Sequence, residues 1–592
     1  MRYIKLILLL IGFCVYTNVC AQLSTNEKPI SFGRESELRV SRRSEKATVA
    51  TPQLDMVKVR RVEAARKKCP ELALFGYVHN VCYNLVNSGT WYEFPNGDKL
   101  WRLIVSCPEA KSVYISYDKF WLPDGGKLFV YSKDKKQTLG AFTSRNNKGS
   151  QEHPRGFATG VIDGSKVVLE YYQPGDITTD AIISVNSIVR GYVPPGNDYV
   201  FNKSGDCHVN VNCDEGYYWR GEQKAVARIL MKGIDPEIND HDTIAWYCSG
   251  SLISTSNPHG EPFLLTANHC LPALKDAICT IYDDYINNTL DDALFYWNYE
   301  MPGCERGTIE PPIYSTSGAI IVSNYAESAD FALLRLTEDP NSLPNYIPYY
   351  LGWEINVDSV SPGVCIHHPK GDVKKISTVD AGGGVVSTFY NDYIRDDYYG
   401  NHWKVTWSQT DHGYGTTERG SSGSPLFNAS HKVIGQLHGG GSGCENNIHA
   451  ADWYGKISCS WIGTNDDLHR RELGHWLDPH EEETDGIERV EGTLYVSKNC
   501  VLSNNEYIYG NIHIIGTGQL TISSNIETSG ICPLTVDAGG KLIINGGKLS
   551  NANLDIKPGA TLKIMNGGII ETRHGFKAPI GVKVEIIHGM IL

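Results

Sequence analysis

Through much of the chain, apolar and polar residues alternate with a period of two, in runs too short for helices. Trp101-Arg102-Leu103-Ile104-Val105, Ser112-Val113-Tyr114-Ile115-Ser116 and Lys127-Leu128-Phe129-Val130-Tyr131 follow this pattern, and turn residues such as Pro123-Asp124-Gly125-Gly126 separate them. Successive side chains of a strand point to opposite faces, so such runs bury one face and wet the other. The 59 glycines and 33 tyrosines suit sheets joined by tight turns. The fold class is therefore all-β. Beyond the N-terminus no apolar run reaches the roughly 18 residues of a membrane-spanning helix, which excludes a polytopic membrane protein. With 41% hydrophobic and 20% charged residues, a mainly disordered chain is excluded as well.

At 592 residues, against a usual domain size of roughly 100 to 200, the chain divides into several units. Residues 1–21 carry Arg2 and Lys5, an apolar core from Leu6 to Val15, and small residues before Gln22, which reads as a cleavable signal peptide. Residues 22–203 are β-rich, with a sandwich from about 82, a basic amphipathic helix over 57–68 and a linker at Pro194-Pro195-Gly196-Asn197-Asp198. Residues 204–477 form a second strand-rich unit, closed by a helix over 466–476 and followed by the acidic boundary 480–486. In 478–592 the strings Gly518-Gln519-Leu520-Thr521-Ile522, Gly540-Lys541-Leu542-Ile543-Ile544 and Ala560-Thr561-Leu562-Lys563-Ile564 recur, as the coils of a β-solenoid would. An exported chain folds in an oxidising compartment, where the 14 cysteines left after removal of Cys14 and Cys20 favour disulfides; none lies in a CxxC zinc pattern.

The net charge of -13 is unevenly spread. Residues 22–203 hold 26 basic against 19 acidic residues (net +7), and residues 204–477 hold 17 against 35 (net -18). The acidic unit should attract cationic ligands and repel nucleic acid, with the unit before it as its electrostatic complement.

Three strings in the acidic unit carry chemistry. Leu264-Leu265-Thr266-Ala267-Asn268-His269-Cys270 delivers a histidine at the end of an apolar strand, Asp330 opens the apolar strand Phe331-Ala332-Leu333-Leu334, and Gly420-Ser421-Ser422-Gly423-Ser424-Pro425 sets a serine on a glycine-rich turn. A serine hydroxyl attacks at neutral pH only with a base that takes and later returns its proton. His269 is the candidate base, and Asp330 the carboxylate that fixes its tautomer and stabilises its cation. Gly420 and Ser422 would supply the two backbone N–H groups of an oxyanion hole around the Ser422 nucleophile.

Taken in this order, the strings TANHC, DFALL and GSSGSP resemble the chymotrypsin-fold serine proteases. Longer strings in 204–477 are similar to the secreted bacterial lysyl endopeptidases: Gly205-Asp206-Cys207 through Cys213, Trp297-Asn298-Tyr299, Ile366-His367-His368-Pro369-Lys370-Gly371-Asp372 and Gly435-Gln436-Leu437-His438-Gly439-Gly440. The resemblance implies a double β-barrel and the disulfides Cys207 with Cys444, Cys213 with Cys304 and Cys248 with Cys270. It leaves Cys279, Cys365 and Cys459 over, and says nothing of Cys69, Cys82, Cys107, Cys500 and Cys532. The trypsin pattern places a carboxylate six residues before the nucleophile, where this chain has Thr416. The lysyl endopeptidase pattern places it later, and Asp452-Trp453-Tyr454-Gly455 matches, which makes Asp452 the partner of a substrate ammonium. By the same resemblance His438 lines the site near a tryptophan, either Trp403 or Trp407. Many relatives have an aspartate just before the nucleophile to bind a newly freed N-terminus; Ser421 stands there, so that switch is missing. Lys203, just before Ser204, would permit self-cleavage.

The sequence thus leads to an exported bacterial serine endopeptidase, secreted, periplasmic or held at the cell surface, that cuts after lysine in proteins and peptides. Residues 22–203 would act as a pro-region that inhibits the enzyme or helps it fold, with a solenoid at the C-terminus. No metal or organic cofactor, no nucleic acid and no membrane anchor after signal cleavage are expected. The alternatives are a broader lysine and arginine protease, or a surface adhesin with a vestigial protease domain.

Overall fold

The computed structural model describes residues 27–34, 48–53, 55–57 and 59, and most of 73–592; the longest stretches outside it within that last span are 193–202, 273–288, 389–399 and 462–470. The signal segment, most of the helix expected over 57–68, the linker at 194–198 and the acidic boundary at 480–486 lie outside the described residues, as do Cys69, Cys279 and Cys532. Of the closing helix, Gly474–Leu477 is a single helical turn. Among the described residues no helix is long and apolar enough to cross a membrane.

The alternating runs become two facing sheets. Lys99–Ser106, Lys127–Ser132, Thr138–Phe142 and Lys166–Gln173 belong to one, and Ala73–Asn84, Ser112–Trp121, Arg155–Asp163 and Ile182–Gly191 to the other. Their inward residues, among them Trp101, Leu103, Ile115, Leu128, Phe157 and Ile188, form one buried core, as a sandwich requires.

The second of these sheets continues into the middle domain. Ala73–Asn84 pairs antiparallel with Thr243–Leu252, setting Ile244 against Tyr77, Ala245 against Gly76, Trp246 against Leu74 and Tyr247 against Ala73. From there the order runs through Phe263–Ala267, Phe331–Leu336, Tyr314–Tyr325, Thr289–Trp297 and Val226–Ile234, and the last pairs back onto Thr243–Leu252. Six strands thereby close a barrel, in which the second edge of Ile244 to Tyr247 is covered by Ala73 to Tyr77 of the sandwich. Eight more, from Val209–Asn210 to Val385–Thr388, form a curved half-barrel beside it.

Basic side chains of the sandwich meet carboxylates of the barrel. Arg155 pairs with Asp291 at 2.5 Å, and Lys148 donates to the Asp291 carbonyl (2.7 Å) and to Ser317 Oγ (3.0 Å). Ser116 donates to Asp292 (2.8 Å) and Asn146 to Glu338 (3.2 Å). Of these contacts, the Arg155–Asp291 ion pair has the sign that the charge asymmetry leads one to expect.

The C-terminal repeat is a parallel solenoid. Leu520, Leu542, Leu562 and Val584 lie in register on successive coils of Gln519–Ile522, Lys541–Asn545, Thr561–Met565 and Lys583–Ile587. Inward Leu520, Ile522, Leu542, Ile544, Leu562 and Ile564 stack into a continuous apolar column.

Candidate active site

Two neighbouring strand ends bring the histidine and the aspartate together. Phe263–Ala267 pairs with Phe331–Leu336 so that Ala267 faces Phe331, and the turn Asn268–Cys270 then carries His269 past Asp330. Asp330 sits at φ +55°, a conformation uncommon outside glycine, and its carbonyl accepts from the Asn268 N–H at 2.9 Å. Its Oδ1 accepts from the His269 backbone N–H (3.0 Å) and its Oδ2 from His269 Nδ1 (2.6 Å). Burial pushes the Asp330 pKa up, but the charges of His269 and His438 and the two His269 hydrogen bonds hold it below the usual carboxylate range. An ionised carboxylate only accepts, so the proton of neutral His269 lies on Nδ1 and Nε2 is the basic atom.

A disulfide anchors this turn. Cys248 on Thr243–Leu252 is bonded to Cys270, and Trp246 Nε1 donates to the Cys270 carbonyl at 3.0 Å. Cys207–Cys444 and Cys213–Cys304 are also bonded. The oxidising-compartment reading favours pairing throughout, yet Cys107, Cys365 and Cys459 remain thiols. Cys107 and Cys365 lie buried, and two buried thiols in separate cores cannot meet. The Cys248→Ser, Cys270→Ser double variant is expected to lose about 3 kcal/mol of stability, the loop-closure entropy of a ring of this size, as measured by chemical denaturation.

Ser422 lies on a turn packed against the His269 strand. Its carbonyl accepts from the Ser249 N–H at 2.8 Å and lies 3.6 Å from Cys270 Sγ, one residue from His269. Gly423, at φ +82°, passes so close to Thr266 that a Cβ there would fall 2.1 Å from its Oγ1. Gly420 has φ +90°, and its carbonyl accepts from Ser249 Oγ at 2.9 Å. A side chain at Gly420 would meet Ala73 of the sandwich at 3.1 Å. The left-handed conformations at both glycines turn the chain sharply on either side of Ser422. Ser421, in the place of an aspartate, is bonded through Oγ to His367 Nδ1 (2.7 Å).

Asp452 is fully buried. Its Oδ2 accepts from Trp407 Nε1 (2.6 Å), Ser442 Oγ (2.6 Å) and Thr417 Oγ1 (2.8 Å), and its Oδ1 from the Ser442 N–H (3.2 Å). Burial raises its pKa, and these donors only partly counter that. Thr416, at the trypsin position, is buried beside Cys207 Sγ at 3.8 Å.

His438 stacks on His269, with ring centroids 5.9 Å apart, and its Nε2 lies 3.7 Å from Asp330 Oδ2. Of the two tryptophans expected near His438, Trp407 bonds Asp452 and Trp403 donates to the Ile434 carbonyl at 3.1 Å. The His402 ring also lies beside His438, with centroids 5.1 Å apart; its Nε2 is 3.0 Å from His438 Nδ1 and its Nδ1 is 2.7 Å from Asn401 Oδ1. Burial, with the charge of His438, pushes the His402 pKa down to about 3. Neutral His402 donates from Nδ1 to Asn401 and accepts at Nε2, so His438 donates from Nδ1. His269, Asp330 and His438 are the one described cluster of metal-ligating groups without a disulfide-bonded cysteine, their ligand atoms lying within 4.8 Å of one another.

The sequence reading passed over Ser249, His367, His402, Trp407 as a carboxylate donor, Thr417 and Ser442. His367 lies in a string singled out for its resemblance, and Thr417 adjoins the trypsin position. The others have no local mark.

Residues 201–455 match the family model of the lysyl endopeptidase C-terminal domain. The lysyl endopeptidase of Pseudomonas aeruginosa is 24% identical over 387 residues, covering 62% of this chain and 76% of that protein. Among solved structures, the active form of the Rv3671c protease of M. tuberculosis is 14% identical over 41% of this chain and 81% of its own, with a TM-score of 0.24. A thermostable serine protease, AL20, from an extremophilic microorganism is 11% identical over 40% of this chain and 92% of its own, also with a TM-score of 0.24.

Proposed function

We propose that this chain, a lysyl endopeptidase-like serine endopeptidase, hydrolyses peptide bonds on the carboxyl side of lysine. The observation that carries the reading is the buried carboxylate of Asp452, whose described partners are all neutral donors. A charge held in a dry site without a counter-ion is costly, and an entering lysine ammonium would supply one while its methylenes bury themselves on the walls. The wider, planar guanidinium of arginine makes different demands on the same space.

Ser422 Oγ attacks the carbonyl carbon while His269 Nε2 takes its proton, and Asp330 stabilises the imidazolium. The N–H groups of Gly420 and Ser422 receive the oxyanion. His269 returns the proton to the leaving amine, and water releases the acyl group from Ser422 by the same steps. His438, hydrogen-bonded to His402, shares the Asp330 carboxylate and so tempers the charge that His269 feels.

Residues 22–203 act as a pro-region and 204–477 as the catalytic domain, after export with removal of 1–21. The close approach of Ala73 to Gly420 and the charged contacts to Asp291 support a pro-region that restrains the nucleophile turn. The deciding measurement maps, by mass spectrometry, the cleavage sites made in a denatured protein. Cuts confined to lysine are the expected result. Cuts after lysine and arginine alike would replace the lysyl reading with a broader one.

A further inference from the structure

The segment from Ser204 to His208 is held by carboxylates where backbone carbonyls would suffice. Ser204 is buried, and both its N–H (2.9 Å) and its hydroxyl (2.6 Å) donate to Asp372 Oδ2. The next N–H, of Gly205, donates to Glu418 Oε2 at 3.0 Å. Arg306 clamps the outer side, donating to the Ser204 and Gly205 carbonyls at 3.2 and 2.6 Å and to Asp206 Oδ1 at 2.6 Å. Asp372 is itself 1% exposed, so its charge is held away from water.

Both carboxylates belong to the support of the nucleophile turn. Asp372 follows the turn Pro369–Gly371, whose Lys370 N–H donates to the Arg419 carbonyl at 2.5 Å. On the same loop the His368 N–H donates to Ser249 Oγ (3.0 Å), which in turn donates to the Gly420 carbonyl. The Glu418 N–H donates to Ser421 Oγ (3.2 Å), and its carboxylate holds His208 Nε2 (3.1 Å) and Lys370 (3.0 Å). Burial would raise the Glu418 pKa, but His208, the Gly205 N–H and Lys370 bring it down to about 2.

We propose that Asp372 is the binding site for the α-ammonium created when the Lys203–Ser204 bond is cut, and that this ion pair locks the Ser422 turn in its working form. Hydrolysis breaks the C–N bond: the water oxygen joins the Lys203 carbonyl to give a carboxylate, and the Ser204 nitrogen takes up the water protons to become an ammonium. The neutral Ser204 N–H on Asp372 is thereby replaced by a full positive charge with three donors. The switch that position 421 lacks is thus moved to the 366–372 loop. Self-cleavage at this junction rests on the lysine reading above; the ammonium site does not.

Besides Asp372, the charged groups near the Ser204 nitrogen include Arg306, Lys375, His208, the buried Arg228, which donates to the Gly371 carbonyl at 2.9 Å, Glu418 one residue on and, before cleavage, Lys203. The carboxylate in direct contact outweighs the more distant cations. An α-ammonium so paired titrates above its ordinary range of about 7.7–8.0. The stabilisation is therefore complete below that range and is lost as pH rises through the elevated value.

To separate this site from the chain's own specificity, residues 198–203 are replaced in the full Ser422→Ala chain by a viral cysteine protease site that leaves Ser204 first after cutting. The pH dependence of Ser204 α-amine acetylation, read by mass spectrometry, then gives its pKa. A value at least one unit above that of the same chain carrying Asp372→Asn is expected, and an equal value overturns the proposal. In the active chain, Ser204 should be the first residue of the mature enzyme, and a different first residue also overturns it. Asp372→Asn and insertion of one glycine between Lys203 and Ser204 should each lower kcat/KM about tenfold or more at pH 7 and reduce the fraction of sites titrated by a covalent phosphonate. The insertion keeps Asp372 and carries the test if Asp372→Asn fails to fold. Wild-type kcat/KM in the matured insertion variant would sink the idea.

Discussion

Ser422→Ala is expected to reduce peptide hydrolysis roughly 10⁶-fold and to leave the chain uncut at its own junctions. The size follows from the division of labour in the site. His269 and Asp330 already form their 2.6 Å contact without Ser422, so the variant keeps the base and its carboxylate and loses only the atom they serve. Asp330→Asn acts differently: an amide at that position favours the wrong imidazole tautomer, and a loss of about 10⁴-fold is expected with the strand ends still in place. Because these groups act as a unit, Ser422→Ala combined with Asp330→Asn should be scarcely worse than Ser422→Ala alone, as steady-state kinetics on a lysyl peptide would show. Multiplicative losses would mean that Asp330 acts on something other than the nucleophile's proton.

Asp452→Asn should lower kcat/KM for lysyl substrates by about 10²–10³-fold, the kinetic equivalent of leaving a substrate ammonium buried and unpaired. Stability should move the other way or not at all. Burial raises the Asp452 pKa in the folded chain, so its contribution to stability is present below the ordinary aspartate range and is lost as pH rises. At neutral pH the ionised side chain is a strain on the fold, and removing its charge relieves it. Calorimetry at pH 7 should find the Tm of Asp452→Asn equal to or above that of the parent. The wild-type enzyme should also lose lysyl kcat/KM on the acid side as Asp452 takes up a proton above the usual carboxylate range. A variant with normal lysine turnover would place the specificity carboxylate elsewhere.

The parts of this architecture written as local periodicity could be read directly. Leu520, Leu542 and Leu562 announce their own stacking because a solenoid repeats a single contact, and Leu103 and Ile115 announce a buried face because a strand alternates. His269 and Asp330 each sit at the end of an apolar strand, so their strings carry their position. What joins distant strands left no such trace. His402 meets His438 across the strand Asp452–Lys456 that lies between theirs, and Ser249 reaches Gly420 from the barrel; both are hydrogen bonds between residues with ordinary neighbours. The rings beside His438 include two imidazoles, His269 and His402, which the resemblance to a tryptophan-lined site does not lead one to expect. Asp452 stood out through the resemblance of the string Asp452-Trp453-Tyr454-Gly455, but that Trp407, Thr417 and Ser442 donate to it became visible only with the fold. Cys107 and Cys365 show the limit of counting: an even number of cysteines says nothing of how far apart the cores lie that bury them.

The sheet that runs unbroken from sandwich into barrel bears on how the enzyme is born and how it ages. Ile244 to Tyr247 have a neighbour on each side only while Ala73 to Tyr77 lies beside them. During synthesis the sandwich comes first, so the barrel strand can form on a template already in place. An enzyme that sheds this template, as proposed above for residues 22–203, would leave the amides on one flank of the strand to face solvent and exchange their hydrogens, and would have lost the surface on which the strand was built. Its lifetime then depends on the height of the barrier to unfolding, because a chain that opens cannot count on finding its way back.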